Sequence, residues 1–204
     1  MASLLHAQRS HHWFLFCLLD LYYSFANKEV LAKPCLMLFS CPGDGGDTVV
    51  YWKGAARQVK KDDPVVKLFG ALDTAVVYAH KAANLLPRPQ SRIMRLTAFS
   101  LMELGFYLAT GKAEYLDTAI ALYRRALKLA YATAPEEPLR SWVACASPEC
   151  SAVDEARVWI RWAERRVVTL EEAAAAKLLN QLSNLAFEVM RTLLHIKYRH
   201  RDVR

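Results

Sequence analysis

The sequence lacks the patterns that identify several common classes of protein. Its five cysteines are odd in number, and their spacings match no zinc-binding motif. No glutamate is followed by a histidine three residues later, which excludes a di-iron site built from Glu-x-x-His pairs in a helical bundle. No apolar run reaches the roughly 20 residues that a membrane-spanning helix requires, since the run from Trp13 to Tyr23 is short and contains Asp20. We therefore expect a cytoplasmic protein with no transmembrane span.

The cysteines also bear on the redox state of the protein. A chain of 204 residues does not need disulfides to form a stable core, so we expect its cysteines to be mostly reduced, as in intracellular proteins. Cys145 and Cys150 are close enough in sequence to form a local disulfide, which is the less favoured alternative.

What the sequence does have is apolar material and positive charge. Apolar residues make up 54% of the chain, which is enough for a buried core, and the formal net charge is +7. Such a surplus suits an anionic partner such as nucleotide phosphates, nucleic acid or a lipid surface, and it equally suits a plain solvated surface. The basic run at residues 197–204 fits nucleic-acid binding or a frayed terminus, and we expect no nucleic-acid partner.

The chain divides into an extension, residues 1–38, and a helical region, residues 39–204. The extension fits a helix appended to the main fold, and a start codon placed too far upstream would also explain it. A secretory signal segment fits the length of the apolar run, but no small-residue cleavage site follows it cleanly.

Apolar residues recur at helical spacing in five segments after a short β-favouring run at Val49 to Trp52. The dipeptide Asp63-Pro64 is typical of a helix start, and Gly111 is typical of a helix end. The predicted helices cover residues 65–86, 91–110, 113–132, 152–168 and 171–198. Long helices joined by mostly short turns predict an all-α fold, an antiparallel up-and-down bundle of the ferritin-like kind.

Three arginines, Arg157, Arg161 and Arg165, stand four residues apart on the fourth predicted helix, with Glu164 beside Arg161. Side chains at this spacing share one helix face, and guanidinium groups in a row suit a polyphosphate. A solvated face with ion pairs inside the helix is the alternative. On the last helix Asn180 belongs to a second polar stripe, whose carboxamides can bond a nucleotide or a buried protein group.

A glycine loop, PGDGGDT at residues 42–48, precedes the helices. Successive backbone N–H groups in such a loop can bind a phosphate, although a simple surface turn has the same composition. The loop is not a Walker A motif because no Gly-Lys-Ser/Thr ends it.

Five segments in order resemble the PduO-type ATP:cob(I)alamin adenosyltransferase family. The glycine loop is similar to the family's TKTGDxGxT, and the segments at residues 61–73, 101–110, 157–170 and 179–187 are similar to SKDDPRVEAYGTVDE, LFDLGAxLAT, ARxxCRRAERRVVxL and LNRLSDxLF. The resemblance covers about residues 40–195, and its most specific part is the arginine segment.

The resemblance implies a cobalamin adenosyltransferase-like homotrimer of left-handed helical bundles that binds ATP with Mg²⁺ between subunits. It implies transfer of the 5′-deoxyadenosyl group to cob(I)alamin with release of triphosphate, the cobalt being the nucleophile. The residues that it assigns to ATP are Gly43, Asp44, Lys61, Arg161, Glu164 and Asn180. Asp73 is implied to pair with Arg157 across the subunit boundary beside the corrinoid, and Trp142 is the stand-in for the family's aromatic residue under the cobalt.

The sequence also departs from the family pattern. Cys41 and Pro42 replace a lysine and a threonine before the glycine loop, Thr74 replaces an acid, and Trp162 replaces the second arginine of CRRAER. Loss of one charge-assisted phosphate contact costs roughly 1.5–3 kcal/mol. The alternative function is therefore a non-catalytic homologue that binds a corrinoid, a nucleotide or a partner protein.

Overall fold

A computed structural model describes residues 43–133 and 143–194 of the 204. Within these ranges, a β-hairpin precedes five helices. The strands are β1 (Asp47–Trp52) and β2 (Ala55–Lys60), and the helices are α1 (Pro64–Leu85), α2 (Gln90–Thr110), α3 (Ala113–Tyr131), α4 (Pro148–Val168) and α5 (Ala173–Thr192). The predicted extension, Trp142 and the basic C-terminal run lie outside the described residues.

The five helices form the predicted bundle. Helix α1 packs against α2 and α4, while α2 also packs against α3 and α4 also packs against α5. Helix α5 contacts α2 and α3 more lightly, which closes the bundle. Two contacts show the register between α1 and α4: Lys81 pairs with Glu155, and Tyr78 stacks on Trp159. The numbering runs in opposite directions along the two helices, so they are antiparallel.

The core is built from leucines and from small residues on α1. The buried alanines of that helix allow close approach of its neighbours: Ala71, Ala75, Ala79, Ala82 and Ala83. Leu101 and Leu104 of α2 and Leu179 and Leu182 of α5 are fully buried beside them. Burying one leucine side chain contributes about 1.5–3 kcal/mol, so apolar burial dominates the stability of the bundle.

The helix boundaries follow from local capping. Asp63 accepts a hydrogen bond from the backbone N–H of Val65 at 2.8 Å, and Pro64 occupies the first turn, which confirms the predicted start of α1. Gly111, at φ 75°, confirms the predicted end of α2. Helix α4 begins at Pro148, four residues before the predicted Ala152, because Ser147 caps it by accepting from the N–H of Cys150 at 3.2 Å.

Strand β2 was not predicted. It pairs with β1 in an antiparallel register that runs from Asp47 opposite Lys60 to Trp52 opposite Ala55. The two residues of the turn, Lys53 and Gly54, both have positive φ, 52° and 84°. This combination matches the twist of a tight hairpin. The strand escaped detection because its side chains are almost all exposed and carry no apolar alternation.

The cysteine expectation is wrong for one pair. Cys145 and Cys150 are joined by a disulfide that links the segment entering α4 to its first turn. Ser147 and Pro148 turn the chain between them, and this brings their Cα atoms to 5.2 Å, within the usual disulfide range.

No helix within the described ranges is long and apolar enough to cross a membrane.

Candidate functional site

The glycine loop folds back onto the end of the hairpin. The N–H of Gly46 donates to the carbonyl of Gly43 at 3.1 Å, and the N–H of Lys61 donates to the carbonyl of Gly46 at 2.8 Å. Gly43 and Gly46 have φ of 94° and 83°, a conformation that favours glycine. A Cβ placed on Gly43 would lie 3.4 Å from both Cε and Nζ of Lys61. The loop therefore brings the predicted residues Gly43 and Lys61 together, with Asp44 exposed beside them.

Helix α4 carries the predicted arginine face. Arg161 and Arg165 are exposed, while Arg157 is half-buried and its Nε donates to Oδ1 of Asp154 at 2.7 Å. The ion pair inside the helix, one of the two alternatives drawn from the sequence, is therefore formed at Arg157. It leaves Arg161 as the accessible guanidinium at the centre of the face.

Glu164 lies one turn from Arg161 and is half-buried. Its Oε2 is buried and accepts no hydrogen bond from the described residues. A buried carboxylate oxygen without a donor is costly, so Glu164 carries an unsatisfied acceptor among the described residues.

Asn180 faces solvent on α5, the antiparallel neighbour of α4. Arg161 lies seven residues before the end of α4 at Val168, and Asn180 lies seven residues after the start of α5 at Ala173. Both are therefore roughly 10 Å from the turn that joins the helices, at the same level of the bundle. Arg157 lies eleven residues before the end of α4, and Asn184 lies eleven residues after the start of α5. These two residues are therefore also at the same level of the bundle.

Asp73 lies on α1 and is half-buried, and burial raises its pKa from 3.8 to about 6. The register of Lys81 with Glu155 extends along α1 and α4 to set Asp73 near the level of Glu164, roughly 10 Å along the axis from Arg157. No ion pair among the described residues involves Asp73. The predicted pair with Arg157 is thus not formed within one chain, and its formation between chains stays a prediction.

Trp162 is more exposed than expected for a core aromatic. Its side chain is 39% exposed, and the guanidinium carbons of Arg165 and Arg166 lie 5.0 Å and 4.6 Å from its ring centroid. Trp159, by contrast, is half-buried against Tyr78 at 6.2 Å, in agreement with a packing role.

One group of contacts has no signal in the sequence. Lys53, at the tip of the hairpin, forms an ion pair with Glu172 before α5 at 2.7 Å, and its Nζ lies 3.8 Å from the ring centroid of Tyr107. The partners are 119 residues apart for the ion pair, so only the folded chain reveals them.

Three residues singled out in the sequence cannot be placed. Trp142, the stand-in for the aromatic residue under the cobalt, lies outside the described ranges, as do Cys41 and Pro42. Residues 43–133 and 143–194 contain no group of three or more His, Cys, Asp or Glu side chains arranged to hold a metal ion.

Solved structures with a similar fold include two variants of the PduO-type ATP:corrinoid adenosyltransferase from Lactobacillus reuteri. One, complexed with cobalamin and ATP, matches with a TM-score of 0.63 and 19% identity over 80% of this chain and 100% of that chain. The other, complexed with ATP, matches with a TM-score of 0.62 and 20% identity over 79% and 100%. At this identity the likeness shows the fold. No protein of curated function shows significant sequence similarity to the chain.

The sequence model of one family, described as cobalamin adenosyltransferase, matches residues 38–193. This range contains the glycine loop, the hairpin and all five helices. The chain belongs to the cobalamin adenosyltransferase family.

Proposed function

We propose that the protein transfers the 5′-deoxyadenosyl group of ATP to cob(I)alamin and releases triphosphate. The observation that carries the proposal is the placement of three polar side chains on α4 and α5. There an exposed Arg161, a Glu164 oxygen in need of a donor and an exposed Asn180 lie at neighbouring levels of two packed helices. Cations, acceptors and carboxamides in this combination suit the phosphates, the amine and the hydroxyls of a nucleotide.

In the proposed reaction the cobalt attacks the 5′ carbon of ATP. A bond forms between cobalt and carbon, the bond from carbon to the α-phosphate oxygen breaks, and triphosphate leaves with its electron pair. The protein supplies no nucleophile. Its residues orient ATP and stabilise the negative charge on the leaving group, which is the larger part of catalysis in such displacements. Arg161, Lys61 and the N–H groups near Gly43 and Asp44 are the proposed donors to triphosphate, and we expect Mg²⁺ on the same phosphates.

The proposal includes assembly into a homotrimer. Lys61 precedes the start of α1, whereas the register with α4 sets Arg161 opposite residue 75 or 76, roughly 18 Å further along the axis. Because these two positions lie at different levels of one subunit, we propose that a second subunit completes each site. Contact of the hairpin end of one subunit with α4 of the next would bring the two cations together, and would also allow Asp73 to pair with Arg157 beside the corrinoid.

A specific observation favours the alternative of a non-catalytic homologue. Trp162 replaces the family's second arginine, and its ring holds the side chains of Arg165 and Arg166. Arginines stacked on an aromatic ring are less free to follow a phosphate. The alternative protein would bind a corrinoid, a nucleotide or a protein partner without turnover.

The test is calorimetric titration of the purified full chain with ATP and magnesium, followed by addition of cob(I)alamin. We expect ATP binding and then formation of adenosylcobalamin, seen by its absorbance spectrum, together with triphosphate. ATP binding without adenosylation would support the alternative. No ATP binding by a folded trimer would overturn the proposed reaction.

A further inference from the structure

The tip of the hairpin is attached to the end of α2 through the backbone. The N–H groups of Lys53 and Gly54 donate to the carbonyls of Leu108 and Ala109, each at 2.8 Å. These carbonyls belong to the last turn of α2, where no N–H of the helix itself is available to them. The turn therefore acts as part of the C-terminal cap of α2.

The side chain of Lys53 makes a second attachment. Its Nζ lies 2.7 Å from Oε2 of Glu172, 3.8 Å from the ring centroid of Tyr107 and 5.9 Å from that of Trp52. The side chains of Lys53 and Glu172 are only 27% and 19% exposed. An ion pair shielded in this way, with an aromatic face over the cation, is stronger than an exposed pair.

These contacts attach the hairpin, which carries one part of the proposed site, to the helices of its own subunit. The hairpin carries Gly43 and Lys61 at its far end, and Glu172 directly precedes α5, which carries Asn180. A two-stranded hairpin is barely stable alone in water. Its orientation on the bundle therefore depends on the attachments at its tip and on the buried side chains of β1, Val50 and Trp52.

We propose that Lys53 is a positioning residue: together with Glu172 and Tyr107 it fixes the hairpin so that Lys61 and the glycine loop are held ready for a nucleotide triphosphate. This inference rests on the proposed function, since it assigns a role within the same ATP site. Lys53 does not touch the nucleotide and acts through the orientation of Lys61. In a symmetric trimer every subunit carries the same contacts, so the role does not depend on which subunit completes the site.

The test compares Lys53→Met with Lys81→Met in the full-length protein. Lys81 is a matched control because it also pairs with a glutamate at 2.7 Å and lies 5.2 Å from a tyrosine ring, but it joins α1 to α4 and its pair is more exposed, 51% and 45%. Hydrogen exchange over residues 43–61 and ATP affinity by calorimetry are measured for each.

We expect Lys53→Met to speed exchange of the hairpin amides at least tenfold and to weaken ATP binding about tenfold, with exchange in the buried helices unchanged. In turnover the effect should be on the KM for ATP rather than on kcat, because saturating ATP restores the geometry. Lys53→Arg should recover most of the affinity, because a guanidinium can bond Glu172 and stack on Tyr107. Lys81→Met should leave both measurements as in the wild type.

The outcomes separate this inference from the proposed function. Absence of ATP binding by the wild-type protein would overturn the proposed function. If the wild-type protein binds ATP and Lys53→Met binds it equally well, the role of Lys53 alone is overturned. The same holds if the hairpin amides exchange at the same rate in Lys53→Met and in the wild type. Equal losses in Lys53→Met and Lys81→Met would also overturn it, because the effect would then be one of general stability.

Discussion

The bundle and the hairpin are held in place by different kinds of interaction. The bundle buries leucines and alanines from five helices, so its stability is spread over many contacts, and few of them are polar. The hairpin has one strand whose residues are almost all exposed, and it depends on two buried side chains, two backbone hydrogen bonds and one shielded ion pair. We infer that the bundle core determines the free energy of unfolding, while a few polar contacts determine the geometry of the proposed site. The following substitutions test that division.

The largest expected effect is a loss of stability in the core. Leu179 is fully buried on α5, directly before the exposed Asn180. We expect Leu179→Ala to lower the free energy of unfolding by about 3 kcal/mol, because it removes buried methyl groups and leaves a cavity. Urea denaturation measures the loss, and Asn180→Ala serves as the control, with a change of less than about 0.5 kcal/mol. Similar losses in both variants would contradict the division between core and outer face.

The next effect is a loss of activity without a loss of stability. We expect Arg161→Ala to reduce adenosylation about 100-fold, since it removes a charge-assisted contact to the leaving group, and to leave unfolding and assembly unchanged. Steady-state turnover and sedimentation measure the two properties. Arg125→Ala, at an exposed arginine of α3, is the control. Turnover of Arg161→Ala at the wild-type rate would refute the proposed phosphate contact.

The disulfide at the start of α4 should contribute a smaller amount. Cys145 and Cys150 are five residues apart in sequence. A disulfide that closes a loop of that size lowers the conformational entropy of the unfolded chain, which raises the free energy of unfolding by about 2 kcal/mol. We expect Cys145→Ser to lower the free energy of unfolding by that amount. Treatment of the wild-type protein with a dithiol reductant should lower it equally. If alkylation and mass spectrometry find both thiols free in protein prepared without reductant, the original expectation of reduced cysteines holds after all.

The smallest expected effect is that of Asp73→Asn on stability, and its sign differs between the isolated subunit and the assembled trimer. Because burial raises its pKa to about 6, the folded subunit holds this proton more tightly than the unfolded chain does. Its contribution to stability is thus present below pH 4 and is lost as the pH rises through 6. For the isolated subunit we expect Asp73→Asn to add about 1–2 kcal/mol at pH 8, allowing for partial exposure, and nothing below pH 4.

In the assembled protein the proposed pair with Arg157 predicts the opposite sign. There Asp73→Asn should weaken the trimer at pH 8, as measured by sedimentation at decreasing protein concentration. A trimer that is equally stable or more stable with asparagine would rule out that pair.

The sequence was sufficient for the features that depend on local pattern. Helical periodicity, Asp63-Pro64 and Gly111 predicted the five helices and two of their ends, and the four-residue spacing of the arginines predicted their common face on α4. The start of α4 was set four residues too late, because the cap depends on the side chain of Ser147 rather than on periodicity. Strand β2 was missed because exposed residues carry no alternation.

Contacts between distant residues were beyond the reach of the sequence. The ion pair of Lys53 with Glu172 has no spacing signal, and the half-burial of Asp73 arises only when α1 packs in the bundle. The preference of Arg157 for Asp154 within its own helix was one of two open alternatives, and side-chain geometry was needed to choose between them.

The turn at Lys53 and Gly54 also constrains how the gene can change. Because side chains alternate between the two faces of a strand, inserting or deleting one residue while the turn keeps two residues would shift the register and reverse every side chain of β2 up to Lys60. A longer turn would also move its N–H groups away from the last carbonyls of α2, and a side chain at position 54 would meet the carbonyl oxygen of Thr110 at 3.1 Å. We therefore expect length variation to be excluded from this two-residue turn, which has no spare length.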